Sequence, residues 1–291
     1  MAKALEGIRV IDFTVWFQGP VSAQYLADFG AEVIKVENPK GGDQGRGVRS
    51  IKSLPVGDWN QYFLVINRNK KSIAIDLKKP EGQEILYRMV EKSDVFLSNL
   101  SPQLLEKMNL SYDKLVEHNP QLIYVTNTGY GRVGGVSRPS FDMTVQALTG
   151  AMARLGEPGQ PPIYMGMGSG DAYGGIMSAF GVATAIYHRN KTGRGQCVDA
   201  SLYGAQLFLA APHLQKYLAG HTDSAHQGIE EEQRARHLPA AQVADTGAAP
   251  GVGRQLALAV GHQPRRLADA LDRHLAFLGG AFEGELGIQR L

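Results

Sequence analysis

Short β-rich runs alternate with amphipathic stretches from residue 7 to residue 127, and this restricts the fold more than any other feature of the chain. GIRVIDF (7–13), AEVIKVE (31–37), SIAIDL (72–77), DVFLS (94–98) and LIYVTN (122–127) read as strands, being rich in β-branched and aromatic residues. Pro20 fits the first turn of a helix running through Phe29, and Gly30 suits its C-terminal cap. Pro80 opens another helix, with Ile85, Leu86, Met89 and Val90 on one face. Helical pieces fall at 102–108 and 111–118. Such alternation predicts an α/β fold with a mainly parallel sheet flanked by helices. Ligands of such sheets bind beyond the carboxyl ends of the strands.

The second half reads as follows. A helix-like region near 141–152 precedes GMGSGDAYGG (166–175), and IMSAFGVATAIYHR (176–189) is apolar nearly all round, which predicts a buried helix. KTGRGQ makes a turn, QCVDAS a strand, and LYGAQLFLAAPHLQKYLAG (202–220) a further apolar helix. The chain then changes character: no lysine follows Lys216, while Ala, Arg, Gly, Gln and His accumulate. Residues 222–252 show no sustained period, and Arg265 to Leu278 suit one helix. The expected organisation is a well-specified unit over 1–220 and a poorly specified segment over 221–291.

Several function classes are disfavoured at this level. With 43% hydrophobic residues the chain can bury a core, and its net charge of +2 comes without a basic block. Lys70-Lys71 and Lys78-Lys79 read as solvated pairs, so no nucleic-acid partner is expected. Cys197 is the sole cysteine. It permits no intrachain disulfide and no cysteine-based metal site, and within QCVDAS it reads as an inert buried thiol. The eight histidines are scattered, so no metal is expected. The N-terminus lacks the apolar segment of a signal peptide, and no run of about eighteen apolar residues occurs. A cytoplasmic protein with no membrane partner is therefore expected. Glu37 ends the second strand where a ribose-binding acid would sit, but the first turn, TVWFQGP, has one glycine where a dinucleotide fingerprint needs three. No phosphate-binding loop, G-x-S-x-G elbow or H-E-x-x-H helix appears.

Asp171 stands alone among the five glycines of GMGSGDAYGG. Aspartate just ahead of a helix is a favoured N-cap, stabilised in its ionised form by the dipole and the free N–H groups. A second reading is a carboxylate nucleophile, with Gly168, Gly170, Gly174 and Gly175 clearing room for a bulky electrophile. Carboxylates are weak nucleophiles and suit activated acyl groups such as thioesters. The local pattern leaves both readings open.

Several segments in order carry a resemblance: LEGIRVIDFT, GPVSAQYLADFGAEVIKVENPKGGD, NRNKKSIAIDLKKPEGQEIL, DVFLSNLSPQLLEKMNLSYDKLVEHNPQLIYVTNTGYG, FDMTVQALTGAM and HRNKTGRGQCVDASLYGA. Together they resemble the class III CoA-transferases, also called the CaiB/BaiF family, over residues 5 to about 220. The resemblance implies a large Rossmann-like domain over 1–220, with 221–291 a linker and an incomplete small-domain segment, and an interlaced homodimer. In this family a Gly-Asp ahead of the helix leading to TGxGQ supplies the nucleophile, and Asp171 holds that place. CoA or acyl-CoA would enter as substrate, with no permanently bound cofactor. Its pocket would draw on Phe17 and Gln18 after the first strand, on Ile75, Asp76, Leu77 and Lys78, and on Asn99, Leu100 and Ser101. Lys107 stands where members usually carry a basic phosphate-binding residue, often arginine; lysine keeps the charge and loses the fork. Arg138, Pro139, Ser140 and Phe141 would lie along the pantetheine and thioester end.

The activity implied is transfer of CoA from an acyl-CoA to a carboxylic acid, through aspartyl anhydride and aspartyl-CoA thioester intermediates. Two alternatives accompany it. Acyl-CoA racemases and isomerases of the same family use a His/Asp pair, but no histidine lies between Tyr130 and Asp171. An inactive, truncated CoA-binding subunit is the other, because family members run longer and 225–291 lacks their pattern. A truncation or shifted reading frame is the expectation for that segment.

Overall fold

The computed structural model describes residues 3–47, 60–132, 139–155, 160–166 and 168–219. Residues 221–291 and Arg138 therefore lie outside the described residues. In chain order the elements are β1 (Arg9–Phe13), α1 (Gln18–Asp28), β2 (Glu32–Glu37), α2 (Gln61–Asn67), β3 (Lys70–Ala74), α3 (Pro80–Val90) and β4 (Val95–Ser98). There follow α4 (Pro102–Lys107), α5 (Tyr112–His118), β5 (Ile123–Thr128), α6 (Asp142–Leu148), α7 (Ser169–Thr192), β6 (Cys197–Ser201), α8 (Leu202–Leu209) and α9 (Ala211–Leu218). The chain divides into two compact units, one of Met1–Asp142 with Met167–Ala205, the other of Met143–Gly166 with Gln206–Leu291.

The first unit holds a six-stranded sheet in the order β3-β2-β1-β4-β5-β6, with every pairing parallel. The central strands β1, β4 and β5 are buried on both faces, as in parallel sheets covered on both sides, whereas β3 at the edge is largely exposed. On one face Val10, Val33, Leu97, Ile123 and Val125 pack with Ala23 and Leu26 of α1 and Val182, Ala185 and Ile186 of α7. On the other, Ile11, Val36, Phe96 and Tyr124 pack with Leu86, Val90, Leu105 and Leu115 from α3, α4 and α5. The order of connection reverses between β1 and β4, so the loops leaving those strands diverge and open a crevice at their carboxyl ends.

Three local differences from the expected elements have physical causes. α7 starts at Ser169 rather than Ile176, so the glycine-rich stretch is helix and not loop. Glycine inside a helix is unfavourable, but here it is needed for close packing against α1. A Cβ at Gly175 would lie 2.7 Å from Val21 Cγ1 and 3.0 Å from the Gln18 carbonyl oxygen. One turn further on, the Ser22 hydroxyl donates to Ser178 Oγ at 2.9 Å. β3 begins at Lys70 because Asn69 turns the chain with a φ of 62°, and it ends at Ala74, after which Ile75 and Leu77 turn into the core. The sequence reading also placed no element at α2, although Asn60 caps it, its side-chain oxygen accepting the Phe63 N–H at 2.9 Å.

In the second unit the expected helix near 141–152 is broken: α6 ends at Leu148, and a 3₁₀ turn spans Ala151–Arg154 after Gly150 adopts a φ of 77°. The Gln146 side chain accepts the Met165 N–H at 3.2 Å, and Met152 O accepts from Ile163 N–H at 3.1 Å. The helix expected over 202–220 is likewise divided at Ala210, where Pro212 sits in the first turn of α9.

Candidate active site

A cleft of about 980 Å³ opens at the carboxyl ends of β1, β4 and β5, within the first unit. Its walls are three loops. The loop leaving β1 brings Val15, Trp16 and Phe17, with Gln18 at the start of α1, the loop leaving β4 brings Asn99, Leu100 and Ser101, and the end of β5 and the chain beyond it bring Asn127 to Arg132. Pro139, Ser140, Phe141, Asp142 and Asp171 complete it, with Tyr62 from α2. Of the residues singled out in the sequence, Phe17, Gln18, Asn99, Leu100, Ser101, Pro139, Ser140, Phe141 and Asp171 thus share one cleft. Ile75, Asp76, Leu77, Lys78 and Lys107 do not line it: Ile75 and Leu77 are buried in the core, and Lys78 and Lys107 are exposed.

The β1–α1 loop is held in a strained shape. Trp16 has a φ of 67°, a left-handed conformation that costs a bulky residue energy. Two groups hold it there. The Asn99 amide accepts the Val15 N–H at 2.9 Å and donates to the Val15 carbonyl at 2.5 Å, which ties the two diverging loops together across the reversal point. Asp43 Oδ1 accepts the Trp16 N–H at 3.3 Å. Asp43 is itself fixed by Lys35 Nζ at 2.8 Å, and Lys35 donates to the Thr14 carbonyl at 2.7 Å. Lys70 Nζ joins the cluster at 2.8 Å from Asp12 Oδ2. Both lysine side chains are 2% exposed, so Lys70 belongs to the interior and not to a solvated surface pair. Two carboxylates and two ammonium groups balance one another beneath the loop.

Glu37 is committed elsewhere. Arg46 donates to both of its oxygens, at 2.8 and 2.7 Å, and the Ser72 hydroxyl and the Asp43 N–H donate to it as well. Against a burial that would raise it, these donors hold its carboxyl down at about 2. It is a structural anion, not a ribose ligand.

Asp171 lies in the first turn of α7, three residues after Gly168, whose φ of 55° starts the helix. It does not cap that helix. Asp142, at the start of α6, accepts the Gly170 N–H at 2.7 Å and the Asp171 N–H at 3.2 Å through one oxygen. The helix N-terminus expected to keep Asp171 ionised is thereby occupied by a second carboxylate. Burial first, and then the negative charge of Asp142, push the Asp171 carboxyl up to about 7. The opposing influence is the Gln18 N–H, at the start of α1, which donates to Asp171. Tyr62 faces the same charge: burial, Asp171 and Asp43 keep its phenol protonated, and its ring lies 5.7 Å from that of Phe17.

Among the four glycines, Gly168 borders the carboxylate, where a Cβ would lie 3.5 Å from Asp171 Oδ2, while Gly174 and Gly175 face α1. Gly168 sets the turn and Gly170 spends its N–H on Asp142, so that N–H is not available to an oxyanion. Gly175 meets α1, and a Cβ at Gly174 would lie 2.7 Å from Gln18 Nε2. Further room at Asp171 comes from the reversal point of the sheet.

Sequence reasoning missed Tyr62, Asp142 and Asn127. Tyr62 was within reach, because Asn60 ahead of the apolar run YFLVI is a helix-start signal. The role of Asp142 had no local signal, since its partners lie 28 and 29 residues on. Cys197, at the start of β6, accepts from Arg132 Nη1 at 2.7 Å, and burial pushes its thiol up. Among the described residues no group of three or more His, Cys, Asp or Glu could hold a metal ion, and no helix is long and apolar enough to cross a membrane.

A family model described as CoA-transferase family III matches residues 5–274. A succinyl-CoA:mesaconate CoA-transferase of Haloarcula hispanica is 38% identical over 237 residues, covering 77% of this chain and 58% of its own length. A formyl-CoA:oxalate CoA-transferase of Rhodopseudomonas palustris is 38% identical over 215 residues, covering 74% of this chain and 50% of its own. The chain thus spans about half the length of the curated relatives it matches. A solved CAIB/BAIF family protein from Brucella suis superimposes with a TM-score of 0.73 at 33% identity, over 78% of this chain and 61% of that one.

Proposed function

The chain belongs to CoA-transferase family III, and on that premise we propose that it moves CoA from an acyl-CoA to a carboxylic acid through Asp171. The observation that carries this reading is the Asp171 carboxylate, set in a roomy cleft at the reversal point of the sheet and pushed up to about 7 by burial and by Asp142. A carboxylate with a raised pKa is a better nucleophile when ionised than an ordinary one, and partial burial removes the water that would otherwise solvate it.

In the first step an Asp171 oxygen attacks the thioester carbonyl of the donor, forming a mixed anhydride and expelling CoA thiolate. The thiolate then attacks the aspartyl carbonyl, giving aspartyl-CoA thioester and releasing the donor acid as its carboxylate. The acceptor carboxylate attacks that thioester, forming a second anhydride and again freeing the thiolate. The thiolate finally attacks the acceptor acyl carbonyl, which yields the new acyl-CoA and restores Asp171. Charge is conserved at every step.

The remaining assignments belong to the same proposal. Phe17, Gln18, Asn99, Leu100, Ser101, Pro139, Ser140 and Phe141 would contact the CoA ester inside the cleft. Ile75 to Lys78 and Lys107, which do not line the cleft, would act further out on CoA, and Arg138 would lie with Pro139 to Phe141 along the pantetheine and thioester end. A domain spanning 1–220, an interlaced homodimer and a cytoplasmic location also follow from this reading.

Asp171→Ala should abolish transfer without lowering the melting temperature, with formation of the new acyl-CoA followed by mass spectrometry. Substantial remaining turnover rejects the nucleophile. Uptake of deuterium at the substrate α-carbon without transfer would instead favour the racemase reading, against which stands the absence of a histidine between Tyr130 and Asp171.

A further inference from the structure

Asn127 sits near the carboxyl end of β5 and is 1% exposed. Strand alternation places it on the same face as Ile123 and Val125, the face covered by α1 and α7. It lines the same cleft as Asp171. Neither its Nδ2 nor its Oδ1 has a hydrogen-bond partner among the described residues. Gln18 is 4% exposed, lines the cleft too, and leaves its Nε2 unpartnered.

Buried amides without partners are rare, because each loses its water and gains nothing in return. Nothing in the sheet requires an amide at 127, since the preceding inward residues on this face, Ile123 and Val125, are aliphatic. Both polar atoms of Asn127 and the Nε2 of Gln18 are closed to bulk water as the cleft stands. The partner they lack is therefore carried in by a bound molecule, with the rotatable Gln18 side chain turning aside to admit it.

From this we infer that Asn127, with Gln18 beside the cleft, is a specificity-determining residue that reads an uncharged donor–acceptor group, a hydroxyl or a primary carboxamide, on the acyl part of the substrate. The inference rests on the reading of the Asp171 cleft as an acyl-CoA site. An alkyl chain would leave both Asn127 atoms unmet. A second carboxylate would satisfy Nδ2 only, would leave Oδ1 facing an acceptor, and would stand in the same cleft as the Asp171 charge. A hydroxyl can donate as well as accept, and a carboxamide can pair with both Asn127 atoms at once. A site with committed polar groups rejects the analogue that lacks the matching group far more strongly than an apolar pocket rejects an added methylene.

The test is calorimetric binding of four CoA esters to the full chain: butyryl, 3-hydroxybutyryl, succinamyl and succinyl. The hydroxyl and carboxamide esters should bind roughly ten- to hundredfold more tightly than the other two. In Asn127→Leu that ratio should collapse to within about threefold, while the melting temperature of the unliganded protein holds or rises, because an unpaired buried amide has gone. Asn127→Ser, which keeps a smaller polar group, should retain part of the preference and decides the matter if the leucine variant fails to fold. A flat panel in the parent protein, or a preference that survives Asn127→Leu, overturns the assignment. Which of the two favoured esters binds more tightly tells hydroxyl from carboxamide. Transfer from the same esters to added carboxylic acids is followed by mass spectrometry of the new acyl-CoA. Preference without transfer would sink the Asp171 chemistry and leave Asn127 standing, transfer with a flat panel would do the reverse, and no binding of any ester would reject both.

Discussion

Asp142 caps the helix from which Asp171 projects: one oxygen of Asp142 accepts the N–H of Asp171 at 3.2 Å and that of Gly170 at 2.7 Å. One carboxylate thus fixes the backbone of the other and repels its charge. Burial is the larger cause of the raised Asp171 carboxyl, at about 7, and Asp142 the second.

Asp142→Asn keeps an acceptor for the two N–H groups and removes the charge. If ionised Asp171 is the nucleophile, kcat/KM of the parent rises with pH through about 7. In the variant this acid limb should move to lower pH, yet stay above the ordinary carboxylate range because burial persists. Activity at pH 6 should rise roughly two- to fivefold relative to the plateau. A limb that does not move would show that Asp171 ionisation does not control the rate.

The same carboxyl makes stability depend on pH. Its ordinary value is 3.8 and its folded value about 7. Between these the folded chain holds a proton that the unfolded chain has released, so unfolding liberates a proton and stability falls as pH rises. Asp171→Asn should match the parent near pH 4 and exceed it above pH 7, by on the order of 2–4 kcal/mol before allowance for the partial exposure of the group. Urea denaturation at pH 4 and pH 8 measures the difference, and equal gains at both pH values would exclude this cause.

Gly175→Ala tests what the glycines of α7 do. The new methyl would meet Val21 Cγ1 at 2.7 Å and the Gln18 carbonyl at 3.0 Å, and the carbonyl cannot turn away. A cost of about 1–3 kcal/mol is expected, partly recovered in the double variant with Val21→Ala. Gly174→Ala meets the far end of the Gln18 side chain, so it should cost less. Thermal unfolding of the three variants gives the ranking, and a harmless Gly175→Ala would mean that the helices do not need this approach.

Strand and helix periodicity made the parallel sheet legible, because β1, β2, β4 and β5 are apolar runs whose burial follows from composition alone. The loops at their carboxyl ends could be named for the same reason. Other features depend on partners far along the chain. Asn99 binds Val15 across 84 residues, and Lys70 reaches Asp12 across 58. A lysine pair reads locally as solvated, and only the parallel pairing of β2 with β3 and β1 with β2 turns Lys70 inward over Asp12. GDAYGG read as loop because glycine opposes helix locally, whereas packing against α1 decides in its favour.

Lys70→Met probes that interior charge cluster. Lys70 donates to Asp12 Oδ2, to the Pro20 carbonyl and to Asn67 Oδ1, at 2.8, 2.9 and 2.8 Å. Without it, Asp12 keeps Lys35 as its cationic partner, at 3.9 Å, beside the Thr14 N–H and hydroxyl that donate to Oδ1, and Asp43 already engages Lys35 at 2.8 Å. One buried carboxylate is then undercompensated, which costs about 3–5 kcal/mol. Burial alone would raise the Asp12 carboxyl, and the charges of Lys35 and Lys70 hold it low instead. Its stabilisation is present above its ordinary value and is lost as pH falls through the lowered folded value. The parent should therefore lose this contribution only under strongly acidic conditions. The Lys70→Met deficit should be full at pH 7 and shrink as Asp12 takes up a proton at a higher pH than in the parent. The double variant Asp12→Asn with Lys70→Met removes both members of the pair and should recover much of the loss. Chemical denaturation of the three variants at pH 5 and pH 7 gives the coupling, and additive losses from the two single changes would mean that Asp12 and Lys70 do not act as a pair.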